Sequence, residues 1–266
     1  MAYFYFIWKF HRSFLIFSAV VISAFQFLFL KLVTTIDSAI TSYLLEQLPE
    51  NVQAMFGGDF ISTHTVEGAA AFGLNHPLVL VILFIGAISI PSRHIAGEAE
   101  TGTLELVLSF PVARSKLLLN LWISALSFLF LIILFAVSSS LLSIHIFHQL
   151  TAGLFVKMIT IGCNLWLLFV FVMSFSLLLS SFGKEGNKVG IRIAGITLVF
   201  YLLHYLSSLW DTISFTKPFN FFAYYQPEDL ITGNRSFSLH FVVLFSLILI
   251  CLLVSLFQFN RRDIPG

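Results

Sequence analysis

Residues 95–116 read IAGEAETGTLELVLSFPVARSK, the longest part of the chain that is neither a membrane-length apolar run nor a polar outside loop. Glu98, Glu100 and Glu105 stand beside Leu104, Val107, Leu108 and Phe110; Pro111 closes the segment, and Arg114 and Lys116 follow. Carboxylates mixed with leucines in so short a piece suit a surface that a partner touches.

The surrounding chain is of another kind. Of its 266 residues, 58% are hydrophobic and 10% charged, where soluble domains carry roughly a quarter charged residues. It reads as an all-α integral membrane protein with a single membrane domain over residues 1–266. A bilayer crossing needs about 20 mostly apolar residues, and six windows supply them: 13–33, 74–95, 117–143, 155–181, 192–210 and 238–259. The second is the weakest, because Pro77 and Pro91 bracket its most apolar part and its start can lie as early as Ala69.

Lys and Arg set the orientation. With the N-terminus inside, the inner side holds Lys9, Arg12, Arg93, Arg114, Lys116, Lys184, Lys188, Arg192, Arg261 and Arg262, leaving Lys31, Lys157, Lys217 and Arg235 outside. Both termini are therefore expected in the cytoplasm, with the chain multi-pass in the plasma membrane. The aromatic and basic flank AYFYFIWKFHRSF reads either as a short helix in the inner interface or as an ordinary positive flank. A formal net charge of +1 carries no information about nucleic acid, and no such partner is expected.

Two outer segments are longer than connections require. In 34–73, Leu44, Leu45, Leu48, Val52, Met55 and Phe56 recur near helical spacing, which suits an outer amphipathic helix. In 211–237, Phe219, Phe221, Phe222, Tyr224 and Tyr225 either form an aromatic belt or dip back into the protein, where irregular backbone is tolerated only if buried or lining a cavity. The loop FGKEGNKVG at 182–190 reads as a tight solvated turn or as a second contact with a cytoplasmic partner.

Chemistry within the spans is sparse. His204 is the lone ionisable residue well inside one, while Arg93, His94, Lys157 and Arg192 lie at ends from which side chains reach water. Cys163 and Cys251 form no motif, and His145 with His148 lacks a nearby third ligand, so no metal site is expected. Gly183-Lys184 fails the P-loop pattern, with Leu178 where its first glycine belongs and Glu185 where the hydroxyl belongs. No catalytic residue and no cofactor is assigned to this chain.

Within the opening stretch, Thr101 or Thr103 can cap a helix running from about Thr103 to Phe110, with Glu105 near its positive end. Leu104, Val107 and Leu108 then share a face, and Pro111 stops the helix. Periodicity alone leaves a second reading, an interfacial loop whose leucines face lipid.

The pattern Glu98, Gly102, Thr103, Leu104, Glu105, Leu108, Ser109, Pro111, Arg114 resembles the signature of type-two ABC (ATP-binding cassette) transporter permeases, a six-span exporter family. It lies between the second and third spans, where that family has it, and the Arg-Arg-Asp ending resembles the family's C-terminus. The resemblance implies a permease subunit whose short coupling helix docks on a separate cytoplasmic ATPase, through residues 98–111. Leu104, Val107 and Leu108 would then be an apolar plug, with Glu98, Glu100, Glu105 and Arg114 making polar contacts or fixing the helix to its own membrane domain. It also implies two ATPase copies that bind the ATP and Mg, a second permease copy or a related one, and a path at the permease interface along the second and fifth spans. Phe200, Tyr201 and His204 become candidate path residues. The cargo is expected to be amphiphilic or apolar. Alternatives are a permease serving maturation of an extracytoplasmic protein or metal cofactor, with an outer partner at 34–76, and a membrane scaffold without an ATPase.

Overall fold

The computed structural model describes residues 2–35, 47, 65–109, 113–232 and 237–262. The expected outer helix around Leu44–Phe56, and Pro111, lie outside them. The described residues are helical with no strand, and six helices are long and apolar enough to cross a membrane.

The first span is one helix, Ala2–Thr35, so the aromatic flank continues the span rather than forming a separate interfacial piece. Its buried residues Ile7, His11, Ser18, Ile22, Gln26 and Leu30 fall at helical spacing along one stripe. That stripe packs on the third span, Arg114–Phe147. Ser139 Oγ donates to the Ser23 carbonyl at 2.6 Å and Ser140 Oγ to Gln26 Oε1 at 3.2 Å. Such bonds hold helices together where apolar burial alone gives no preference for protein over lipid.

The second span runs from Val66 to Glu100 in several pieces. Thr65 caps Val66–Asn75 by accepting from the Gly68 amide at 3.0 Å. The helix breaks at His76, whose imidazole accepts from the Leu78 amide at 3.3 Å, and restarts with Pro77 in its first turn. Small buried residues, Gly68, Ala69, Ala70, Ala71 and Gly73, let Val66–Asn75 approach the first span; a Cβ on Gly73 would lie 2.5 Å from Gln26 Oε1. Pro91 does not end the span. The helix widens into a π turn, Ser92–Gly97, and Ser92 Oγ donates back to the Ile88 carbonyl at 2.8 Å.

The fourth span, Ala152–Phe182, lies at the centre, with 72% of its most apolar stretch buried; the fifth, Gly186–Leu209, is peripheral, with 17%. The sixth, Phe237–Arg261, packs mainly on the fourth. Between the fifth and sixth, the chain makes two 3-10 stretches, Asp211–Phe219 and Phe221–Tyr224, and a helix, Pro227–Thr232. This segment divides into two parts. Phe215 and Phe219 face outward, whereas Phe221, Phe222 and Tyr225 are buried. Asn220 fixes the inward turn, donating to the Phe200 carbonyl at 2.7 Å and accepting from the Phe222 amide at 3.0 Å.

Candidate coupling segment and membrane groove

The residues from 92 to 109 collect at the end of the bundle that also carries the fourth-to-fifth connection and the start and finish of the chain. The π turn buries His94, which the sequence placed within reach of water. His94 Nδ1 meets Glu98 Oε1 at 2.9 Å, and His94 Nε2 meets His11 Nε2 at 3.0 Å. One imidazole donates and the other accepts in that second bond, so the first span, the π turn and Glu98 form one hydrogen-bonded line. Arg93 lies over the Phe10 ring, 4.3 Å from its centre.

Glu100 turns to the fifth span, where Oε2 accepts from the Gly186 amide at 2.9 Å. This bond needs close backbone approach: a Cβ on Gly186 would stand 2.8 Å from the Gly97 Cα. The 182–190 loop is therefore bound to the chain's own second span. Arg114 donates to the Arg262 carbonyl, and the Arg262 guanidinium donates to the carbonyls of Ser181 and Gly183 at 3.3 and 2.7 Å. The C-terminal arginine thus caps the fourth span, satisfying carbonyls that lack an intrahelical donor. Partial burial lowers its pKa.

The short helix covers Thr103–Leu108. Neither threonine caps it. Its cap is Gly102, whose φ of 74° is left-handed backbone that glycine adopts without strain. Thr101 and Thr103 hydroxyls instead bond each other at 2.9 Å, and Thr103 donates to the Glu98 carbonyl at 3.3 Å. Leu104, Val107 and Leu108 share one face, as their spacing requires, but that face meets the protein's own core rather than standing out as a plug. Leu104 is wholly buried in the protein's own core, and Val107 and Leu108 are half-buried against it. Thr103, Glu105, Leu106 and Ser109 are exposed, Leu106 by 67%. Leu106, absent from the expected set, is the apolar side chain this helix presents.

The candidate path residues lie on the fifth span facing the inward turn. Phe200 contacts Phe221, and Tyr201 and His204 contact Phe222, with ring centres 5.1, 5.4 and 6.3 Å apart. Tyr201 also lines an apolar groove of about 290 Å³ between the second and fifth spans, with Leu80, Phe84 and Thr197 among its walls. Phe200 and His204 do not line it.

Sequence reasoning missed His11, His94, Gly186 and Arg262. Only the His94–Glu98 pair carried a local signal, its i,i+4 spacing; the other pairings join residues far apart in the chain.

The six long apolar helices are those of a multi-pass membrane protein. The chain belongs to the ABC-2 family of transporter proteins, whose sequence model matches residues 8–264. No curated protein matches it. The family is a transport membrane component that typically pairs with an ABC ATPase.

Proposed function

We propose that this chain is the permease subunit of an ATP-driven exporter, in which a separate ATPase docks on the helix Thr103–Leu108. The supporting observation is the division of that helix. One side is sunk in the membrane domain through Leu104, while Thr103, Glu105, Leu106 and Ser109 face outward. Glu98 and Glu100 tie the preceding residues to the first and fifth spans, and Arg114 ties the following ones to the C-terminus. A force on the exposed face is therefore delivered to several spans at once. Ten of the 14 Lys and Arg residues stand at this end, which makes it cytoplasmic with both termini.

ATP and Mg are held by two ATPase copies. Closure of their dimer shifts the helices only if docking is stronger in one nucleotide state than in the other. Two permease copies, or this chain and a related one, face each other across the second and fifth spans. The groove lined by Tyr201 then borders the path of an amphiphilic cargo.

The test is affinity isolation of the tagged chain from mild-detergent membranes, scoring a bound ATPase subunit. The native chain is expected to retain it and Leu106→Asp to release it while staying inserted and monodisperse. Absence of an ATPase with the native chain overturns the reading.

A further inference from the structure

Directly beyond the apolar groove, at the opposite end from the coupling segment, lies a second cavity of about 190 Å³ with a different lining. Asn75, His204, Tyr205, Tyr225, Gln226, Glu228 and Asp229 contribute to it. Among the described residues, Tyr225 Oη and Gln226 Oε1 are buried without a hydrogen-bond partner, and Tyr225 as a whole is only 4% exposed. A buried amide oxygen left unpaired costs free energy, so the arrangement calls for a donor from elsewhere. Burial, and then the neighbouring Glu228, push the Tyr225 pKa up, so its hydroxyl stays protonated. It can accept from an N–H while donating to a carboxylate.

The two cavities are continuous in the chain. Asn75 stands two residues from Pro77 on the second span, and Tyr201 of the groove bonds Tyr205 of the polar cavity, hydroxyl to hydroxyl, at 3.3 Å. No group of three or more His, Cys, Asp or Glu is placed to hold a metal ion among the described residues. Carboxylates and orphaned acceptors above an apolar slot match an organic cation better than a metal.

We infer that the polar cavity binds the protonated amine of a cationic amphiphile whose hydrocarbon chain lies in the groove between the second and fifth spans. The inference rests on the exporter reading and narrows its cargo class to amines bearing an apolar tail. The amine is that of a single-chain cation or of an aminophospholipid headgroup, since both present the same donors.

The test titrates the purified full chain, in dodecyl maltoside, with radiolabelled dodecylammonium and with dodecanol. The native chain should prefer the amine by about tenfold, equivalent to about 1.4 kcal/mol. Glu228→Gln with Asp229→Asn should remove the preference and leave dodecanol binding unchanged, while Ala194→Trp, beside the groove, should weaken both probes. Tyr225→Phe deletes a hydroxyl with no hydrogen-bond partner among the described residues, so it should keep the fold and weaken amine binding by about threefold. If the double variant does not fold, Tyr225→Phe decides. Equal binding of the two probes to native protein overturns the inference, as does a preference that survives these variants. Displacement of dodecylammonium by phosphatidylethanolamine supports the site as a headgroup site; persistence supports a single-chain cation. ATPase retention is scored in parallel. Retained ATPase without an amine preference sinks this inference alone, and an amine preference without any ATPase sinks the exporter reading alone.

Discussion

The two ends of the bundle solve opposite problems. At the coupling end, polar groups are paired across long stretches of sequence: His11 with His94, Glu100 with Gly186, Arg114 with Arg262. At the other end, Tyr225 Oη and Gln226 Oε1 are buried with no such partner among the described residues. On the proposed reading, the first end stays in register under load and the second receives a ligand. Force transmission and ligand recognition would then be separated by the length of the membrane domain, so substitutions at one end should leave the other's readout intact.

The sharpest break of this contrast lies within the coupling helix. Leu104→Asp buries a carboxylate in the core, and loss of the monodisperse peak is expected, since emptying such a site with alanine already forfeits about 2–5 kcal/mol. Leu106→Asp, two residues away and exposed, should keep the melting temperature and lower ATPase recovery by about tenfold. If both behave alike, the division of this helix into a sunken and a presented side is wrong. Gly186→Val comes next. Its side chain would meet the Gly97 backbone, and a destabilisation of about 1–3 kcal/mol is expected, read as a lower melting temperature, with dodecylammonium preference retained. Arg262→Ala should destabilise by about 1–2 kcal/mol, through carbonyls left without donors at the end of the fourth span; Arg262→Lys should not restore it, because one ammonium cannot reach the carbonyls that the planar fork spans. Smallest is Tyr201→Phe, which removes the bond to Tyr205 and should change stability by under about 0.5 kcal/mol, leaving ATPase recovery unchanged.

Much of the fold was legible because a bilayer demands long apolar runs, and all six spans announce themselves that way, the second least clearly. Ala69–Ala71 with Gly68 and Gly73 are small rather than strongly apolar, and they belong to the span because they let helices touch. An apolar window running to residue 95 also cannot see that the helix widens into a π turn after Pro91. In the coupling segment, spacing puts Leu104, Val107 and Leu108 on one face of a six-residue helix, but it cannot say whether that face meets the protein's own core or a partner. The polar pairs were hidden for a simpler reason: His11 and His94 are 83 residues apart, and nothing local to either names the other.

The contact of Gly97 with Gly186 places two backbones together with no side chain between them. If the bundle rocks as proposed, this contact would act as a fulcrum. Asn75 lies about 33 Å from Gly97 along the second span at 1.5 Å per residue, so a tilt of about 10° there would swing the polar cavity's rim by about 6 Å. A small stroke at the coupling helix would thus be geared up into a wide gape at the far mouth.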